Sequence, residues 1–392
     1  MPTAQCEQAI ATALKYGNAL FKFISANDCG LTGAHQAGFY LPKTVWQRFT
    51  PHPPELGENS KHKVVITWPD SRETESTVTW YGKGTRSEYR LTRFGKGFRW
   101  LRHDMVGNLL VLTCQAPDRF IAQVLQTDED IEEIQARLGL EIAESWAVFP
   151  SGTYLPAEAT NDCIEENFHD LLDTLNEFPD TATLSAATRR TMEKCLPHFG
   201  NRLVDDQLVR LVEGEYKLFR MVENKICRAE IAHPFNSVDE FIKTAATLMN
   251  RRKSRAGRSL ENHFASILKN AHIPFVQRVR IDGTAEPDIL IPSKAAYEDS
   301  NYPPQKLCLL GLKTTCKDRW RQVLNEGRRV KNKHILTLQR GISTNQLNEM
   351  SESGIRLVVP DAYRREYPTD SRMKILTVQA FIETVQNILH KP

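Results

Sequence analysis

The sequence has no run of eighteen apolar residues, so no membrane-spanning helix is expected. Residues 1–23 lack the basic start, apolar stretch and cleavage site of a secretory signal, so a cytoplasmic location with no membrane partner is expected. None of the eight cysteines forms a Cys-x-x-Cys pair. A zinc site is therefore not expected. A chain of 392 residues needs no disulfide framework, so reduced thiols are expected throughout. No internal repeat or low-complexity tract is visible. Neither sign of charge dominates: 51 Lys and Arg face 48 Asp and Glu, for a net charge of +3. Net charge alone thus says little about partners.

The distribution of charge says more. Residues 251–258 read RRKSRAGR, five basic side chains in eight positions. Residues 313–333 carry Lys313, Lys317, Arg319, Arg321, Arg328, Arg329, Lys331 and Lys333. A further basic group runs from Lys83 to Arg102, interleaved with Tyr89, Phe94, Phe98 and Trp100. One such cluster is ordinarily a solvated face. Several in separate parts of the chain suit a phosphate backbone.

With 41 % hydrophobic residues the chain can build real cores, and its length suggests two domains. Residues 1–145 read as β structure: candidate strands at His62–Trp68, Thr77–Tyr81, Leu109–Cys114 and Phe120–Leu125 are separated by turn-rich segments. Many short strands punctuated by Gly and Pro suggest a barrel or pseudobarrel. Thr127 and Asp130 then form a capping box for a helix with Ile131, Ile134 and Leu138 on one face. Residues 146–184, with Pro150, Gly152, Pro156 and Pro179, form a candidate linker. From about 185 to 392 helices give way to alternating strands and helices. Ser237 and Glu240 cap Phe241–Met249, and Leu260, Phe264, Ile267 and Leu268 form a helical stripe. Phe275–Ile281 alternates like a strand. Ile289–Ile291 and Leu307–Leu312 suit buried strands. Asp318–Arg329 reads as a helix. These elements suggest a mixed sheet flanked by helices, making the chain a two-domain α+β protein.

The chemistry-bearing stretch begins at Pro287-Asp288 and continues through a strand to Lys313. Metal-assisted phosphodiester hydrolysis needs carboxylates to hold the ion and a cation near the attacking water. Many nucleases supply them as Pro-Asp on one strand and Asp/Glu-x-Lys on the next. Here the position two before Lys313 is Gly311, which cannot bind a metal. Either the site is silent or the second carboxylate comes from elsewhere. Glu326, thirteen residues after Lys313 on the expected helix, is the obvious substitute. Glu261 could add a further carboxylate. Each residue has an ordinary alternative: Asp288 as a turn cap, Lys313 as a snorkelling lysine, Glu326 as a surface partner of Arg329. Lys313 fits its alternative least, because it ends the apolar run LCLLGL.

Four segments then become specific: RRKSRAGRSLE (251–261), PDILIPSKAAY (287–297), LKTTCKDRWRQVLNE (312–326) and SGIRLVVP (353–360). They resemble the catalytic domain of the EcoRII family of type II restriction endonucleases, over roughly residues 230–392. SANDCGLTGAHQAGFYLP (25–42) and GTRSEYRLTRFGKG (84–97) resemble that family's effector-binding domain. The resemblance implies a C-terminal restriction-endonuclease core of the PD-(D/E)XK kind with its second acid relocated. Asp288 and Glu326 would bind Mg2+, and Lys313 would assist the water and the phosphate. Glu261 and Tyr297 match positions regarded as part of that site. Lys317, Asp318 and Arg319 would read CC and GG steps, a donor–acceptor set that suits guanine O6/N7 and cytosine N4. The N-terminal domain would resemble a B-3-type pseudobarrel that binds a second copy of the site, with His35, Tyr40, Arg86, Glu88 and Arg90 as matching residues. Tyr89 stands where the family pattern leads one to expect lysine.

The chain is accordingly expected to be a prokaryotic, Mg2+-dependent endonuclease. It would act as a homodimer on palindromic double-stranded DNA related to CC(A/T)GG, leave 5′-phosphate ends and be stimulated by a second site. The alternative is a sequence-specific DNA-binding regulator on the same fold that has lost catalysis, for which Gly311 is the best support.

Overall fold

The computed structural model describes residues 2–31, 37–42, 45, 48–50, 55–84, 87–141, 145–150, 162–371 and 373–390. The chain divides into two compact units. The first holds residues 1–158, 339–348 and 365–372. The second holds residues 159–338, 349–364 and 373–392.

The first unit begins with helix α1 (Ala4–Tyr16). It continues through β1 (Ala19–Phe23), β2 (Phe39–Leu41), β3 (Asn59–Thr67), β4 (Glu73–Tyr81), β5 (Glu88–Thr92), β6 (Leu109–Ala116) and β7 (Arg119–Leu125). Helix α2 (Asp128–Leu138) and β8 (Trp146–Phe149) complete the series. The strands form one sheet in the order β2-β5-β4-β3-β7-β6-β1-β8. Strand β1 is buried along its whole length because both faces are covered. Ala19, Phe21 and Phe23 join Ile10, Ile131 and Ile134 under the two helices. Leu20 belongs to the aromatic-rich core on the other face, with Trp68, Trp80 and Phe120. Only the N-cap half of the expected capping box is present: Thr127 accepts from the Asp130 N–H at 3.2 Å. The Asp130 carboxylate turns instead to Thr3, accepting from its N–H and its hydroxyl, each at 2.8 Å, and so ties α2 to the start of α1. Two segments from far along the chain complete this unit, with Arg340 paired to Glu366 at 2.8 Å and Tyr367 donating to the Gln339 carbonyl.

The second unit contains α3 (Asp162–Thr174), α4 (Thr181–Cys195), α5 (Val204–Val222), α6 (Arg228–Ala232) and α7 (Val238–Asn270). After them come β9 (Val276–Gln277), β10 (Ile289–Ile291), α8 (Lys294–Glu298), β11 (Cys308–Lys313), α9 (Trp320–Leu324), β12 (Asn332–Thr337), the part of α10 (Thr344–Glu352) that follows residue 348, β13 (Ile355–Val358) and α11 (Val378–His390). The sheet order is β13-β12-β11-β10-β9. Strands β11, β12 and β13 run parallel, and β10 pairs antiparallel with β11 and β9. Cys308, Leu310 and Leu312 of β11 pack with α5, α7 and α11 on one side of the sheet. The strand's two-residue period therefore turns Leu309, Gly311 and Lys313 to the opposite side.

Three local expectations change. The segment expected to hold two helical pieces is a single helix of 33 residues, α7. RRKSRAGR contains one glycine and no proline, so nothing breaks it. The expected strand 275–281 shrinks to two residues because Arg278 takes a left-handed backbone, φ 48°. The cysteines are not all thiols: Cys163 and Cys195 are joined, with Cα atoms 5.6 Å apart. Helices α3 and α4 bring them together across 32 residues, a proximity that spacing alone does not reveal.

Asp205, near the start of α5, shows how the unit is locked. Its carboxylate accepts from the N–H groups of Asp361 (3.0 Å), Val378 (2.8 Å) and Gln379 (2.9 Å), capping α11 from another helix. Truncation would orphan three donors at a buried position. Asp205→Ala is expected to lower stability by about 2–4 kcal/mol, seen as a lower urea midpoint. A midpoint shift equivalent to under about 0.5 kcal/mol, the usual range for a surface change, would remove this cap from the account.

Candidate active site

The end of β11 gathers the candidate residues. Asp288 precedes β10, and the antiparallel register Ile289↔Leu310 sets its carboxylate beside the last residues of β11. Its Oδ2 accepts from the Leu312 N–H at 2.7 Å and from Lys313 Nζ at 2.9 Å. Both side chains are largely shielded, at 17 % and 18 % exposure. Lys313 is thus neither a snorkelling surface lysine nor a core anomaly. Its charge is matched by Asp288 at the edge of solvent.

Gly311 explains the missing acid. A Cβ at this position would lie 3.9 Å from Asp288 Oδ2, so it would point toward the candidate site. The same Cβ would stand only 2.7 Å from a methyl of Val323 on α9. The helix fills the space that a second carboxylate on β11 would need. Glu326 lies two residues past the end of that helix, in the bend after it, not within a long helix as expected. Helix α9 spans only five residues, and Gly327 ends the turn in the left-handed region, φ 62°. Burial raises the Glu326 carboxyl above its ordinary pKa. Lys313 and Lys333 oppose the rise and Asp288 adds to it, so Glu326 feels all three groups. Its suggested partner Arg329 instead donates to the carbonyls of Tyr297 and Tyr302.

Two partly buried carboxylates, with Asp288 adding to the rise of the Glu326 carboxyl, are a fitting donor pair for a divalent cation. Magnesium is commonly held by one or two carboxylates with water and substrate phosphate completing its shell. Among the described residues no group of three or more His, Cys, Asp or Glu is placed to hold a metal.

Glu261, on α7, is buried and its carboxylate is occupied. Arg278 grips it with two bonds, 2.9 and 2.6 Å, while the Arg278 N–H reaches the Asp288 carbonyl at 3.3 Å. Sequence reading missed Arg278, whose place in an alternating strand pattern concealed the left-handed turn that aims it. Tyr297, on α8, is buried, and its hydroxyl donates to Asp282 at 2.6 Å. Burial, then the Asp282 bond, push its pKa up to about 12. Lys317, Asp318 and Arg319 lie in the bend between β11 and α9, with Lys317 buried and Asp318 exposed. The basic run 251–258 is largely engaged inside its unit: Arg252 pairs with Glu223, Arg255 lies over Tyr216, and Arg258 stands 3.8 Å from Glu261.

In the first unit, Tyr40 and Arg90 are register partners on β2 and β5, and Glu88 stands 3.6 Å from Arg90 on the same strand face. Tyr89, where the family pattern leads one to expect lysine, points the other way into the core, 5.0 Å from the Trp80 ring. Phe94 and Trp100 are also core residues, not surface stacking platforms. His35 and Arg86 lie outside the described residues.

Comparison with known proteins agrees across both units. Residues 219–382 match the family model for the EcoRII C terminal, and residues 15–158 match that for the restriction endonuclease EcoRII N-terminal domain. The type II restriction enzyme EcoRII of Escherichia coli is 33 % identical over 380 residues, covering 92 % of each chain. Among solved structures, the restriction endonuclease PspGI–substrate DNA complex is 18 % identical, covers 59 % of this chain and 93 % of its own, and has a TM-score of 0.41. Metal-depleted Ecl18kI in complex with uncleaved, modified DNA is 17 % identical, covers 58 % and 84 %, and has a TM-score of 0.46.

Proposed function

This chain belongs to the EcoRII family of type II restriction endonucleases, and from that premise we propose that it cleaves a palindromic CC(A/T)GG-like site in a Mg2+-dependent reaction stimulated by a second copy of the site. The observation that carries the catalytic part is the grouping of Asp288, Lys313 and Glu326, with Val323 filling the space at Gly311. Asp288 and Glu326 would hold the cation. When bound, it supplies Lewis-acid polarisation of the phosphate and a more acidic water. Lys313, held 2.9 Å from Asp288, is placed to orient the attacking water and to balance charge on the phosphate. Glu261 stands behind the pair with its charge balanced by Arg278. Lys317, Asp318 and Arg319 follow Lys313 by four to six residues in the bend after β11, so base reading would be coupled to cutting. One active site per strand of a palindrome implies a homodimer, and attack of water on the phosphorus with departure of the 3′ oxygen would leave 5′-phosphate and 3′-hydroxyl ends. Tyr40, Glu88 and Arg90, with His35 and Arg86, would bind the effector copy.

The rival reading, a silent DNA-binding regulator, rests on Gly311. Glu326 supplies the acid that Gly311 lacks, and this favours catalysis. The test is digestion of a plasmid with three CC(A/T)GG sites and one with a single site, each with Mg2+ and with EDTA. Discrete fragments from the three-site plasmid only with Mg2+, and slow cutting of the one-site plasmid, are expected. Equal cutting of both would remove the effector role. No cutting of either plasmid, nor of total genomic DNA, would leave the regulator.

A further inference from the structure

The second acid does not sit on a strand, so something must hold it still. A carboxylate in a bend two residues past a five-residue helix has none of the rigidity that β11 gives Lys313. The segment 324–330 is nevertheless anchored at four points, from four different parts of the unit. At its start, the Leu324 carbonyl accepts from Lys333 Nζ on β12 at 2.6 Å. At Gly327 the backbone lies against the sheet, where an added Cβ would stand 2.9 Å from a methyl of Leu309 and 3.6 Å from one of Ile281. At Arg328 the N–H donates to Asp282 Oδ2 at 2.8 Å. At Arg329 the guanidinium donates to the carbonyls of Tyr297 and Tyr302.

Asp282 is the unexpected member. It lies at the tip of the turn closed by the Ile281 and Ala285 bridge, and Asp282-Gly283 are both left-handed, φ 50° and 86°. Asp-Gly is an ordinary sequence for such a turn. The Asp282 carboxylate, however, reaches across to a different loop. The same Oδ2 that takes the Arg328 N–H also accepts from the Tyr297 hydroxyl at 2.6 Å. Tyr297 is fixed in turn: its ring is buried, and its backbone carbonyl holds Arg329, the residue after Arg328. The loop is therefore closed twice through one tyrosine.

We propose that Asp282 and Tyr297 are positioning residues for Glu326, forming a clamp that fixes the bend bearing the relocated acid. The clamp answers a need created by moving the acid off β11. It also gives Tyr297 a task at the active site that requires no contact with DNA. The inference rests on Glu326 binding the metal. Partners that orient a metal ligand are commonly worth about 10- to 100-fold in metal affinity or activity.

The test uses the full-length protein. Asp282→Gly removes the carboxylate and keeps the left-handed turn, while Tyr297→Phe removes only the hydroxyl. Calorimetric titration with Mn2+ alone is expected to show affinity weakened about 10- to 100-fold in both. Their kcat should fall by a similar factor, with KM for the DNA unchanged. Asp282→Asn keeps an accepting oxygen and is expected to restore most of the loss. A merely structural role would lower the urea midpoint and move KM with kcat. Should Asp282→Gly lower the urea midpoint, Tyr297→Phe decides alone. Metal affinity and kcat within about threefold of the parent in Tyr297→Phe and Asp282→Gly, well short of the usual loss, would overturn the clamp, provided Glu326→Gln has lost both. Parent-like Mn2+ binding and cleavage in Glu326→Gln would instead overturn the metal assignment itself.

Discussion

Asp288→Asn is expected to lower the cleavage rate by at least about 10³-fold while site-specific binding persists, since removal of a single preorganised electrostatic group already costs that order. The amide keeps an oxygen for the Leu312 N–H, so the local backbone need not move. What disappears is the negative charge that would hold the cation and that fixes Lys313 Nζ at 2.9 Å. Binding should persist because a carboxylate beside a phosphate repels it, and its neutralisation removes that repulsion. A gel shift in EDTA and a timed digest with Mg2+ measure the two quantities separately. A variant that cuts within tenfold of the parent would dislodge Asp288 from the site. One that loses both binding and cutting would point to a folding role instead.

Restoring the conventional acid should make matters worse. Gly311→Asp places a Cβ 2.7 Å from Val323, a distance that forces α9 to shift. Overpacking of this kind costs about 1–3 kcal/mol. The catalytic cost is larger, because Glu326 comes two residues after α9 and a shifted helix pulls against the anchors that fix its bend. A displacement near 1 Å at a reacting centre costs about 10²-fold. Gly311→Asp is therefore expected to lose about 10²-fold in kcat, and Gly311→Asp combined with Glu326→Ala should stay inactive. Adding Val323→Ala to Gly311→Asp opens the space and should recover stability. Full activity in the Gly311→Asp, Glu326→Ala double variant would show that the strand position is open after all, and that Val323 does not explain the glycine.

These expectations share one structural cause. Strand β11 has two faces, and α5, α7 and α11 cover one of them with apolar side chains. The other face has to accommodate both a packed helix and a catalytic group. At Gly311 the helix occupies the space, and Glu326, the proposed second acid, follows the end of that same helix.

Much of this was legible in the residues. The apolar run before Lys313, the Pro-Asp ahead of β10 and the absence of an acid at 311 are local facts. Together they made Glu326 the candidate for the second acid without any coordinates. The capping residues Thr127 and Ser237 marked helix starts because an N-cap bond spans only three residues. The alternation in β11 sorted its side chains into two faces for the same reason: period two is a property of the strand itself.

What escaped the sequence was everything set by approach between distant segments. The left-handed backbone at Arg278 cut a strand short and turned a guanidinium onto Glu261, 17 residues away. The aromatics between the basic residues of 83–102 looked like a surface, yet Tyr89, Phe94 and Trp100 proved to be core, because the chain after β5 folds back onto the aromatic cluster. Cys163 met Cys195 only through helix packing. The clamp joins Asp282, Tyr297 and Arg328, each unremarkable in its own neighbourhood. The sequence by itself determined the chemistry available and the elements that carry it, since composition, periodicity and capping act over a few residues. Only the tertiary structure decided which carboxylates face each other and what holds them, since that depends on where a packed helix leaves room for a side chain.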